Sequence, residues 1–334
     1  MRVLVTGTRG KSSVVRIITD LLGLIGVKAL GRVTGVVPRE IGSGGTREIR
    51  RLCPPSVEEM RWWADRLPRG SWAVMENSAV SPDLQGLGAR WLKPSLVVLT
   101  SAGVDHQEEW ADMDPLEVLM LGVPEGVPLV VPSELAEASR ILRGKLRRPG
   151  EVFGVRDLQD LPGRGPLGFH RRRNLSLAVG ALDALGVKVP VDLLLSYSPP
   201  DDLWDFRVLK GDGYCLAFAF TANDVESTQG LFESLGWEPG DTAVWYNHRG
   251  DRPKRLRWFC DWIRRMGFKD PVFTGGSRVK VLNPPVPGRW VHLRSPADGL
   301  NMVRSLGRVF GCGNVVGVPL ELVGLIGGEG DARR

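Results

Sequence analysis

Short apolar runs alternate with stretches of helical spacing along the first half of the chain. Residues 2–6 are a β-branched run that predicts a strand, and apolar positions over residues 14–22 recur at the spacing of a helix. Two further apolar runs, at residues 71–79 and 95–100, predict buried strands. This alternation is typical of the α/β class, in which a mostly parallel sheet is flanked by helices.

The alternation restarts after Pro199-Pro200-Asp201-Asp202, a turn-rich sequence that predicts a hinge. Residues 214–220 and 242–246 predict strands, and residues 256–266 predict a helix. A chain of 334 residues is long enough for two domains with their own cores. We therefore expect a first domain over residues 1–198 and a smaller Rossmann-like α/β domain over residues 199–334.

The segment between the second strand and the next predicted helix is rich in Gly, Arg and Pro, and residues 39–55 predict a loop outside the core. Two interpretations of its arginines stay open: a solvated, mobile surface, or a clamp for carboxylate or phosphate groups. The helix predicted over residues 56–67 has Ser56 and Glu59 at the spacing of a capping box. The arginines in question are Arg32, Arg39, Arg47, Arg50 and Arg51.

The composition is that of an ordinary globular protein. It is 43% hydrophobic and 25% charged, and no run of about eighteen apolar residues predicts a membrane span. The N-terminus begins directly with the first strand and not with a signal peptide, so we expect a cytoplasmic protein. Cys53, Cys215, Cys260 and Cys312 lack metal-site spacing and are expected to be buried or incidental thiols.

The net charge of +6 and the isoelectric point of about 9.3 predict an anionic partner. Nucleic acid is one candidate, and ATP together with an acidic substrate is the other. Aromatic residues make up only 7% of the chain and do not interleave with basic ones, which argues against nucleic acid. We therefore expect no nucleic-acid partner.

The first strand and helix enclose a glycine loop, Gly7-Thr8-Arg9-Gly10-Lys11-Ser12-Ser13. Its glycines let backbone N–H groups approach a phosphate chain, and the helix N-terminus adds a positive field. Lys11 is predicted to reach the β- and γ-phosphates, and the Ser12 hydroxyl to bind Mg²⁺. Val5 stands where the full P-loop pattern has its first glycine, so the loop is a shortened one. The loop predicts an ATP site, and the alternative is an ordinary strand-to-helix turn.

Acidic and imidazole side chains follow the ends of two predicted strands. Glu76 ends the apolar part of one, and Asp105 and His106 follow the other. In open α/β sheets ligands bind outside the carboxyl ends of the strands, so Glu76 and His106 are predicted metal or substrate ligands. The alternative for Glu76 is a side chain that leaves the core for solvent.

Three motifs resemble, in order and spacing, those of the Mur ligase superfamily, whose members are ATP-dependent amide-forming enzymes with a Rossmann-like ATPase core. They are the glycine loop, Glu76-Asn77-Ser78 and Thr100-Ser101-Ala102-Gly103-Val104-Asp105-His106. A fourth segment, Gly168-Phe169-His170-Arg171-Arg172-Arg173-Asn174, resembles a nucleotide-contacting segment of that superfamily. Arg171 replaces the first asparagine of that pattern, so only Asn174 is expected at the nucleotide.

The second half of the chain is similar to one branch in particular, the ligase subunit of capsular poly-γ-glutamate synthase (CapB/PgsB type). The similarity is carried by residues 218–228 and by Asn247-x-Arg249-x-Asp251-Arg252, and residues 311–314 also match. The resemblance implies a Mur-ligase-like ATP-binding domain over residues 1–198 and a C-terminal ligase domain over residues 199–334.

The resemblance also implies roles for single residues. It places Ser12 and Glu76 on one Mg²⁺, His106 near a second Mg²⁺, and Asn174 at the base or ribose of ATP. Arg207 corresponds to the superfamily's interdomain arginine and is expected to serve the bound nucleotide. The residues expected to present the acceptor or the γ-phosphate from the second domain are Asn223, Asp224, Arg249 and Arg252.

One feature of many Mur ligases is missing. These enzymes hold a second metal through a carbamylated lysine downstream of the histidine, and this chain has no lysine between His106 and Lys145. Its absence argues against a carbamate-bridged second Mg²⁺. Glu108 or Glu109 is the alternative ligand, unless both are solvated acids at a helix start.

The resemblance implies an ATP-dependent amide ligase. It would activate a γ-carboxylate as an acyl phosphate for attack by the amino group of glutamate. The expected partners are glutamate, an anionic poly-γ-glutamate chain, and small membrane-protein subunits that hold the protein at the inner face of the membrane; a homo-oligomer stays open. Two alternatives also stay open: another Mur-type ligase acting on a peptidoglycan precursor or a folate, and a P-loop regulatory protein that hydrolyses nucleotide.

Overall fold

The computed structural model describes residues 1–35, 37–42, 44–51, 54–103, 107–158, 169–198, 205–222, 224–250, 252–276 and 285–331. The chain divides into two compact units, Met1–Pro200 and Asp201–Arg334. Each unit contains one sheet with helices packed on it, and the α/β fold class predicted from the sequence is confirmed. Within the described residues no helix is both long and apolar enough to cross a membrane.

The first unit is built on an eight-stranded sheet. Its elements are, in chain order, β1 (Arg2–Thr6), α1 (Lys11–Leu24), β2 (Ala29–Val33), β3 (Arg39–Gly42), β4 (Gly45–Glu48), α2 (Glu58–Asp65), β5 (Trp72–Glu76), α3 (Leu87–Leu92), β6 (Leu96–Leu99), α4 (Gln107–Trp110), α5 (Pro115–Met120), β7 (Leu129–Pro132), α6 (Ala136–Lys145), β8 (Val152–Val155), α7 (Phe169–Ala184) and α8 (Val191–Ser196). The strand order is β4-β3-β2-β5-β1-β6-β7-β8, and only β3 and β4 run antiparallel to their neighbours.

Both faces of this sheet are covered, so its central strands are apolar throughout. Along β1, Val3 and Val5 belong to the core beneath α1 and α7, whereas Leu4 belongs to the core beneath α2 and α3. Parallel strands bring their carboxyl ends to one edge of the sheet. The loops that follow β1, β2, β5 and β6 therefore meet at the edge where the predicted nucleotide and metal residues lie.

The expectation of a loop over residues 39–55 is wrong for its first half, where β3 and β4 form a hairpin at the edge of the sheet. These strands are short and rich in charge and glycine, so they lack the alternation that predicts a strand. Their order comes from tertiary contacts: β3 pairs with β2, Ile41 packs on the core under α1, and Glu40 accepts a hydrogen bond from Trp63 Nε1 at 2.7 Å.

The predicted capping box is also wrong. Helix α2 begins at Glu58 with Val57 as N-cap, and no side chain caps it. Ser56 Oγ accepts a hydrogen bond from the backbone N–H of Glu58 at 3.3 Å. The Glu59 carboxylate accepts from the backbone N–H of Ser56 and also binds Arg32 and Arg51. The box is incomplete because the backbone N–H of Glu59 binds Ser56 O and not the Ser56 hydroxyl.

The second unit is built on a six-stranded sheet. Its elements are β9 (Arg207–Gly211), β10 (Tyr214–Phe218), α9 (Val225–Glu233), β11 (Ala243–Asn247), α10 (Pro253–Met266), β12 (Pro271–Thr274), β13 (Arg289–Trp290), α11 (Pro296–Leu306), β14 (Arg308–Gly313) and α12 (Val318–Asp331). The order is β13-β12-β11-β14-β10-β9, with β9 antiparallel. Strands β10 and β11 lie on either side of β14, so the loops after these three strands are neighbours at the carboxyl edge.

The core of the second unit explains two of the cysteines. Cys260 on α10 and Cys312 on β14 are buried free thiols, and Cys215 is half-buried. Burial raises the pKa of Cys260 to about 11 and raises the pKa of Cys312 well above its usual value. These two thiols therefore stay protonated and behave as small apolar side chains.

Candidate nucleotide and metal site

The glycine loop has the geometry that its sequence predicts. Strand β1 ends at Thr6, helix α1 begins at Lys11, and the two glycines of the loop adopt positive φ angles, 135° at Gly7 and 82° at Gly10. L-residues with a Cβ rarely adopt these angles. The backbone between strand and helix thus turns sharply enough to leave the first N–H groups of α1 without intrahelical partners, as phosphate-binding loops require.

Both glycines also leave room for close neighbours. A Cβ at Gly7 would lie 2.2 Å from Thr100 Oγ1, and a Cβ at Gly10 would lie 2.6 Å from Asn174 Oδ1. Asn174, on α7, is therefore held against the glycine loop although 164 residues separate the two in the sequence. The structure brings this predicted nucleotide residue to the loop, and its role there stays a prediction.

The segment after β6 is hydrogen-bonded to the glycine loop and holds it in position. Ser101 Oγ accepts a hydrogen bond from Arg9 N at 2.8 Å, and the Ser101 hydroxyl donates to Arg9 O at 3.1 Å. The hydroxyls of Thr8 and Ser101 lie 3.0 Å apart, and Thr8 Oγ1 accepts from Gly103 N at 3.1 Å. Thr100 Oγ1 donates to Arg9 O as well. These contacts hold the loop in one shape, so little ordering entropy is lost when a ligand binds.

Lys11 lies folded onto its own loop. Its Nζ donates to Gly7 O at 2.6 Å and lies 3.5 Å from Thr8 O. A phosphate oxygen carries more charge than a backbone carbonyl and is a stronger acceptor for an ammonium group. A short motion of the Lys11 side chain would break these hydrogen bonds and bring Nζ to a phosphate bound in the loop.

Ser12 and Glu76 come together as predicted. Glu76, at the end of β5, is only 5% exposed, and its Oε2 accepts hydrogen bonds from Ser12 Oγ at 2.8 Å and from Thr34 N at 2.9 Å. The expectation that Glu76 could simply leave the core for solvent is therefore not met. A hydroxyl and a carboxylate oxygen in contact are hard ligands of the kind that Mg²⁺ prefers, so these residues fit the metal. Within the described part of the chain, no group of three His, Cys, Asp or Glu side chains is close enough to hold a metal without help.

A buried ion-pair network lies on the other face of the sheet from Ser12. Arg32, on β2, is 1% exposed and donates from Nη2 to Glu59 Oε2 at 3.0 Å. Arg51 binds the same carboxylate with two hydrogen bonds, of 2.7 and 2.9 Å. The interpretation of these arginines as a solvated surface is wrong for Arg32. The two guanidinium groups clamp a carboxylate of the protein itself.

The ion-pair network of Arg32, Arg51 and Glu59 places charged groups near Glu76. Burial lowers the pKa of Arg32, and the charges of Glu59 and Glu76 oppose that shift. Burial also raises the pKa of Glu59, but the hydrogen bond and charge of Arg51, with the charge of Arg32, outweigh it and leave that pKa below its usual value. Glu59 is therefore ionised at neutral pH, and Arg32 supplies a positive charge within electrostatic reach of Glu76.

The loop after Glu76 is fixed by Asn77 and Gln85. Asn77 Nδ2 donates to Gln85 O at 3.2 Å, and Asn77 Oδ1 accepts from Ala79 N at 3.1 Å. Gln85 Nε2 returns to Ala79 O at 2.9 Å. Both side chains are almost fully buried, so the chain leaving β5 has one conformation and the Glu76 carboxylate is held in place.

In the second unit, a polar network joins the carboxyl ends of three strands. Asn247 Nδ2 donates to Asn314 O at 2.6 Å and to Val316 O at 2.9 Å. Its Oδ1 accepts from Thr274 Oγ1 at 2.9 Å, and that hydroxyl accepts from Trp245 Nε1 at 2.7 Å. The segments 247–252 and 311–314, which both resemble the CapB branch, thus lie together at one edge of the sheet.

The predicted residues of the second unit lie around this edge. Arg249 is exposed two residues beyond β11, and Arg252 is the half-buried N-cap of α10, which begins at Pro253, three residues before the predicted start. Asp224 is the N-cap of α9 and its carboxylate accepts from Ser227 N at 2.7 Å, so this side chain has a structural partner. Arg207 opens β9 and is half-buried. Their roles stay predictions.

Several predicted residues lie outside the described residues. They are Asp105, His106, Asn223 and Asp251, and the side chain of Glu108 is likewise outside. Glu109, the other candidate for the second metal, is described and exposed on α4.

Sequence reasoning missed the residues that support the site. Thr34, which donates its backbone N–H to Glu76, has no side-chain signature, because any residue except proline supplies that group. Thr100 and Ser101 belong to a motif that the sequence analysis recognised, but their contact with the glycine loop was not predicted. Their position at the end of a buried strand is the feature that could have predicted it. The Arg32–Glu59 pair spans 27 residues and had no local signal.

The second unit matches a family model described as the poly-gamma-glutamate synthase CapB C-terminal domain, over residues 205–328. Over 279 residues, the chain is 25% identical to PGA synthase CapB of Bacillus subtilis (strain 168). The alignment covers 78% of this chain and 70% of that protein. The family model and the relative therefore both support the similarity to the CapB branch that the motifs suggested.

Solved structures with the same fold cover almost the whole chain. A bifunctional folylpolyglutamate synthase/dihydrofolate synthase with Mn, AMPPNP and L-glutamate bound has a TM-score of 0.71 at 12% identity, over 97% of this chain and 89% of that one. MurF from Acinetobacter baumannii has a TM-score of 0.67 at 12% identity, over 98% of this chain and 76% of that one. The resemblance is thus confirmed: the chain has the fold of the Mur ligases and folylpolyglutamate synthases, and its second unit matches the C-terminal domain of the CapB branch.

Proposed function

We propose that this protein is an ATP-dependent amide ligase that extends a γ-linked glutamate chain. The observation that carries the proposal is the presence, in one chain, of a P-loop whose Ser12 hydroxyl contacts a buried Glu76 and of a second unit that matches the CapB model. The relative named PGA synthase CapB supports glutamate as the substrate. The neighbour solved with Mn, AMPPNP and L-glutamate supports ATP and a divalent metal.

The reaction needs activation, because a carboxylate and an amine do not condense spontaneously in water. A γ-carboxylate oxygen attacks the γ-phosphorus of ATP, the bond to the β-phosphate oxygen breaks, and ADP leaves. The amino group of glutamate then attacks the acyl carbon, inorganic phosphate leaves, and the amine loses a proton. The first step brings two anions together, so its cost is mainly electrostatic.

The residues of the first unit reduce this cost. Lys11, freed from Gly7 O, would place a positive charge on the β- and γ-phosphates, and the N–H groups at the start of α1 would bind phosphate oxygens. Ser12 and Glu76 would hold Mg²⁺, which supplies further charge neutralisation when bound. The contacts from Ser101 keep the loop in position while the reaction proceeds.

We also propose that small membrane subunits of a synthase complex hold the protein at the inner face of the membrane. This rests on the CapB relative, whose name describes a synthase. Co-purification of an integral membrane protein with the tagged chain from its native host is expected, and the chain recovered alone from detergent-solubilised membranes would contradict it.

ADP release in the presence and absence of glutamate tests the proposed activity. We expect release to depend on ATP, Mg²⁺ and glutamate together, with a product whose mass increases by one glutamyl unit per ADP. The γ linkage is read from fragmentation of that product. Turnover without any amino acid would support a regulatory P-loop protein, and turnover only with a folate or a peptidoglycan precursor would support a different Mur-type ligase.

Lys11→Ala supplies the control for that assay. Because Lys11 Nζ donates to Gly7 O in the glycine loop and its side chain is not part of the apolar core, its loss removes charge from the transition state and little from the core. We expect ligation to fall by about 10²–10³-fold, the range for removal of a transition-state donor, with an unchanged circular dichroism spectrum. Parental turnover in this variant would remove the P-loop assignment.

A further inference from the structure

One segment of the second unit is strongly basic. Residues 247–266 contain seven basic and two acidic residues, a net charge of +5, whereas the whole chain carries +6. The segment comprises the end of β11, the loop with Arg249 and Arg252, and helix α10. Residues 138–150 of the first unit also carry five basic and no acidic residues, but there Arg143 and Arg148 donate to backbone carbonyls and Arg140 binds Glu137. Within the second unit, an anionic partner is attracted mainly to residues 247–266.

One face of α10 directs this charge to solvent. Its exposed residues recur at helical spacing, and its opposite face is buried in the core of the second unit. Asp261 interrupts the charge, but Arg264 binds it with an Nη1–Oδ1 distance of 2.8 Å. We call the exposed basic residues of this face, together with its tryptophan, the α10 basic face; they are Lys254, Arg257, Arg265 and Trp258.

The position of these charges disfavours the helix that carries them. Lys254 and Arg255 lie in the first turn of α10, which contains no acidic residue. The positive end of the helix dipole repels cations there, at a cost of about 0.3–1 kcal/mol for each near-terminal charge. Stability of the helix alone would favour acidic residues at this end, so the exposed Lys254 is better explained by a partner outside the chain.

We infer that the α10 basic face binds the anionic γ-linked glutamate chain. The identity of this polyanion rests on the proposed function. A γ-linked chain carries one carboxylate on every residue, which arginine binds in bidentate geometry, and methylene groups between them, which can pack on the ring of Trp258. Trp258 is 39% exposed, and Lys254, four residues before it, is its neighbour on the surface of the helix.

The position of the helix in the second unit supports this choice. Helix α10 begins immediately after Arg252, and Arg249 precedes it by four residues, so the basic face continues from the residues predicted to present the acceptor. A growing polymer held along α10 would keep its reacting end near these arginines. Repeated additions would then occur without a full dissociation of the chain.

An anionic membrane surface is the competing partner, and the structure disfavours it. A helix that binds a bilayer inserts its apolar face between the lipid headgroups. The apolar face of α10 is already buried in the core of the second unit, through Leu256, Phe259 and Ile263. Only electrostatic attraction would remain, with one tryptophan as the exposed aromatic side chain of the α10 basic face.

The test is the affinity of the protein for a fluorescently labelled, long γ-linked glutamate oligomer. The variant replaces Lys254, Arg257 and Arg265 by glutamine. The control replaces three other exposed basic residues of the second unit by glutamine and so has the same net charge; these are Lys210, Lys269 and Arg304. Ligation of glutamate onto a γ-glutamyl dimer is measured for all three proteins, because a dimer is too short to follow the helix.

At low salt, we expect the dissociation constant for the long oligomer to rise at least about tenfold in the α10 variant and less than about twofold in the control, with a shallower salt dependence in the α10 variant. Ligation onto the dimer is expected to be unchanged in both. Equal losses in the two variants, or none, would overturn the inference, as would a loss of binding to phosphatidylglycerol vesicles without a loss of oligomer binding. A wild-type protein that binds the oligomer through α10 but does not ligate glutamate would contradict the proposed function alone.

Discussion

Glu76 shows how a single carboxylate is prepared to bind a metal. Its Oε2 accepts from Ser12 Oγ and Thr34 N, and its exposed fraction is 5%. A buried carboxylate normally carries a large desolvation cost, which hydrogen bonds to its charged form reduce. Arg32 adds a compensating charge from the other side of the sheet. The fold therefore holds the Glu76 carboxylate in place, beside the Ser12 hydroxyl, by contacts of its own.

Glu76→Gln is expected to raise the Mg²⁺ concentration needed for half-maximal ligation. The amide keeps the shape of the side chain but replaces an anionic oxygen ligand by a neutral one, so Mg²⁺ is held less strongly. The measurement is a Mg²⁺ titration of ligation at saturating ATP, with Glu48→Gln, an exposed residue of β4, as the matched control. The same Mg²⁺ dependence in both variants would make Glu76 a structural acid.

Glu59→Gln is expected to lower the free energy of unfolding by about 3–5 kcal/mol, the range for breaking a buried ion pair from one side. The amide leaves Arg32, which is 1% exposed, without its anionic partner. Denaturant unfolding of the parent and the variant measures the difference. Glu40→Gln is the comparison, since Glu40 binds the exposed Arg47 and the indole of Trp63.

The same pair predicts a pH dependence. Since the pKa of Glu59 is lower in the folded chain than its usual value, the folded state holds the proton less tightly than the unfolded state does. Its stabilisation is complete above the pKa of the unfolded carboxyl and is lost as pH falls through the folded pKa. The parent should therefore lose more stability than Glu59→Gln on acidification below about pH 4.5, and parallel stability curves would be inconsistent with this pair.

At the scale of elements, the glycine loop depends on the segment after β6. Ser101→Ala removes two hydrogen bonds to Arg9 and one contact with Thr8. With each bond contributing about 1 kcal/mol, we expect ATP affinity to fall by roughly tenfold because the loop must be ordered on binding. Calorimetric titration with a non-hydrolysable ATP analogue measures it. Ser71→Ala, whose hydroxyl binds only Pro68 O at a distant turn, should bind the analogue normally.

The elements that could be predicted from the sequence are those whose signal is local. Strand β1, the glycine loop and α1 follow from apolar spacing and two glycines, and Pro253 at the start of α10 follows from its missing N–H. The β3–β4 hairpin and the start of α2 did not follow, because their order depends on Glu40 with Trp63 and on Glu59 with two arginines. Pairings between distant residues leave no periodic pattern in the sequence.

The residues of the candidate site also fall into two groups, those with a local signal in the sequence and those without one. Lys11, Ser12 and Glu76 could be predicted, since each stands at a position that strand–loop–helix geometry assigns to a phosphate or a metal. Asn174 was found through a family resemblance, and the close approach that its Oδ1 makes to Gly10 could not be derived from spacing. Thr34 acts through its backbone, which the sequence does not distinguish from other positions.

At the scale of the whole molecule, the two units carry different parts of the proposed chemistry. The first unit contains the glycine loop with Ser12 and Glu76, and the second contains the basic segment 247–266 with the arginines after β11. If this division is functional, changes in the loop after β11 should affect the acceptor and leave ATP binding intact. Arg249 and Arg252 provide the test, because both follow a strand end at the carboxyl edge of the second sheet.

Arg249→Lys and Arg252→Lys each keep the charge but remove the bidentate fork. We expect each to lose roughly 1–3 kcal/mol of transition-state stabilisation in ligation, the range for hydrogen bonds to charged groups. That is measured as kcat/KM for glutamate, with the dissociation constant for ATP measured in parallel and expected to be nearly unchanged. Arg304→Lys, on the exposed surface of α11, is the matched control. Ligation at the parental rate in both variants would remove these arginines from the reaction, and equal losses in ATP binding would place their effect on the nucleotide and not on the acceptor.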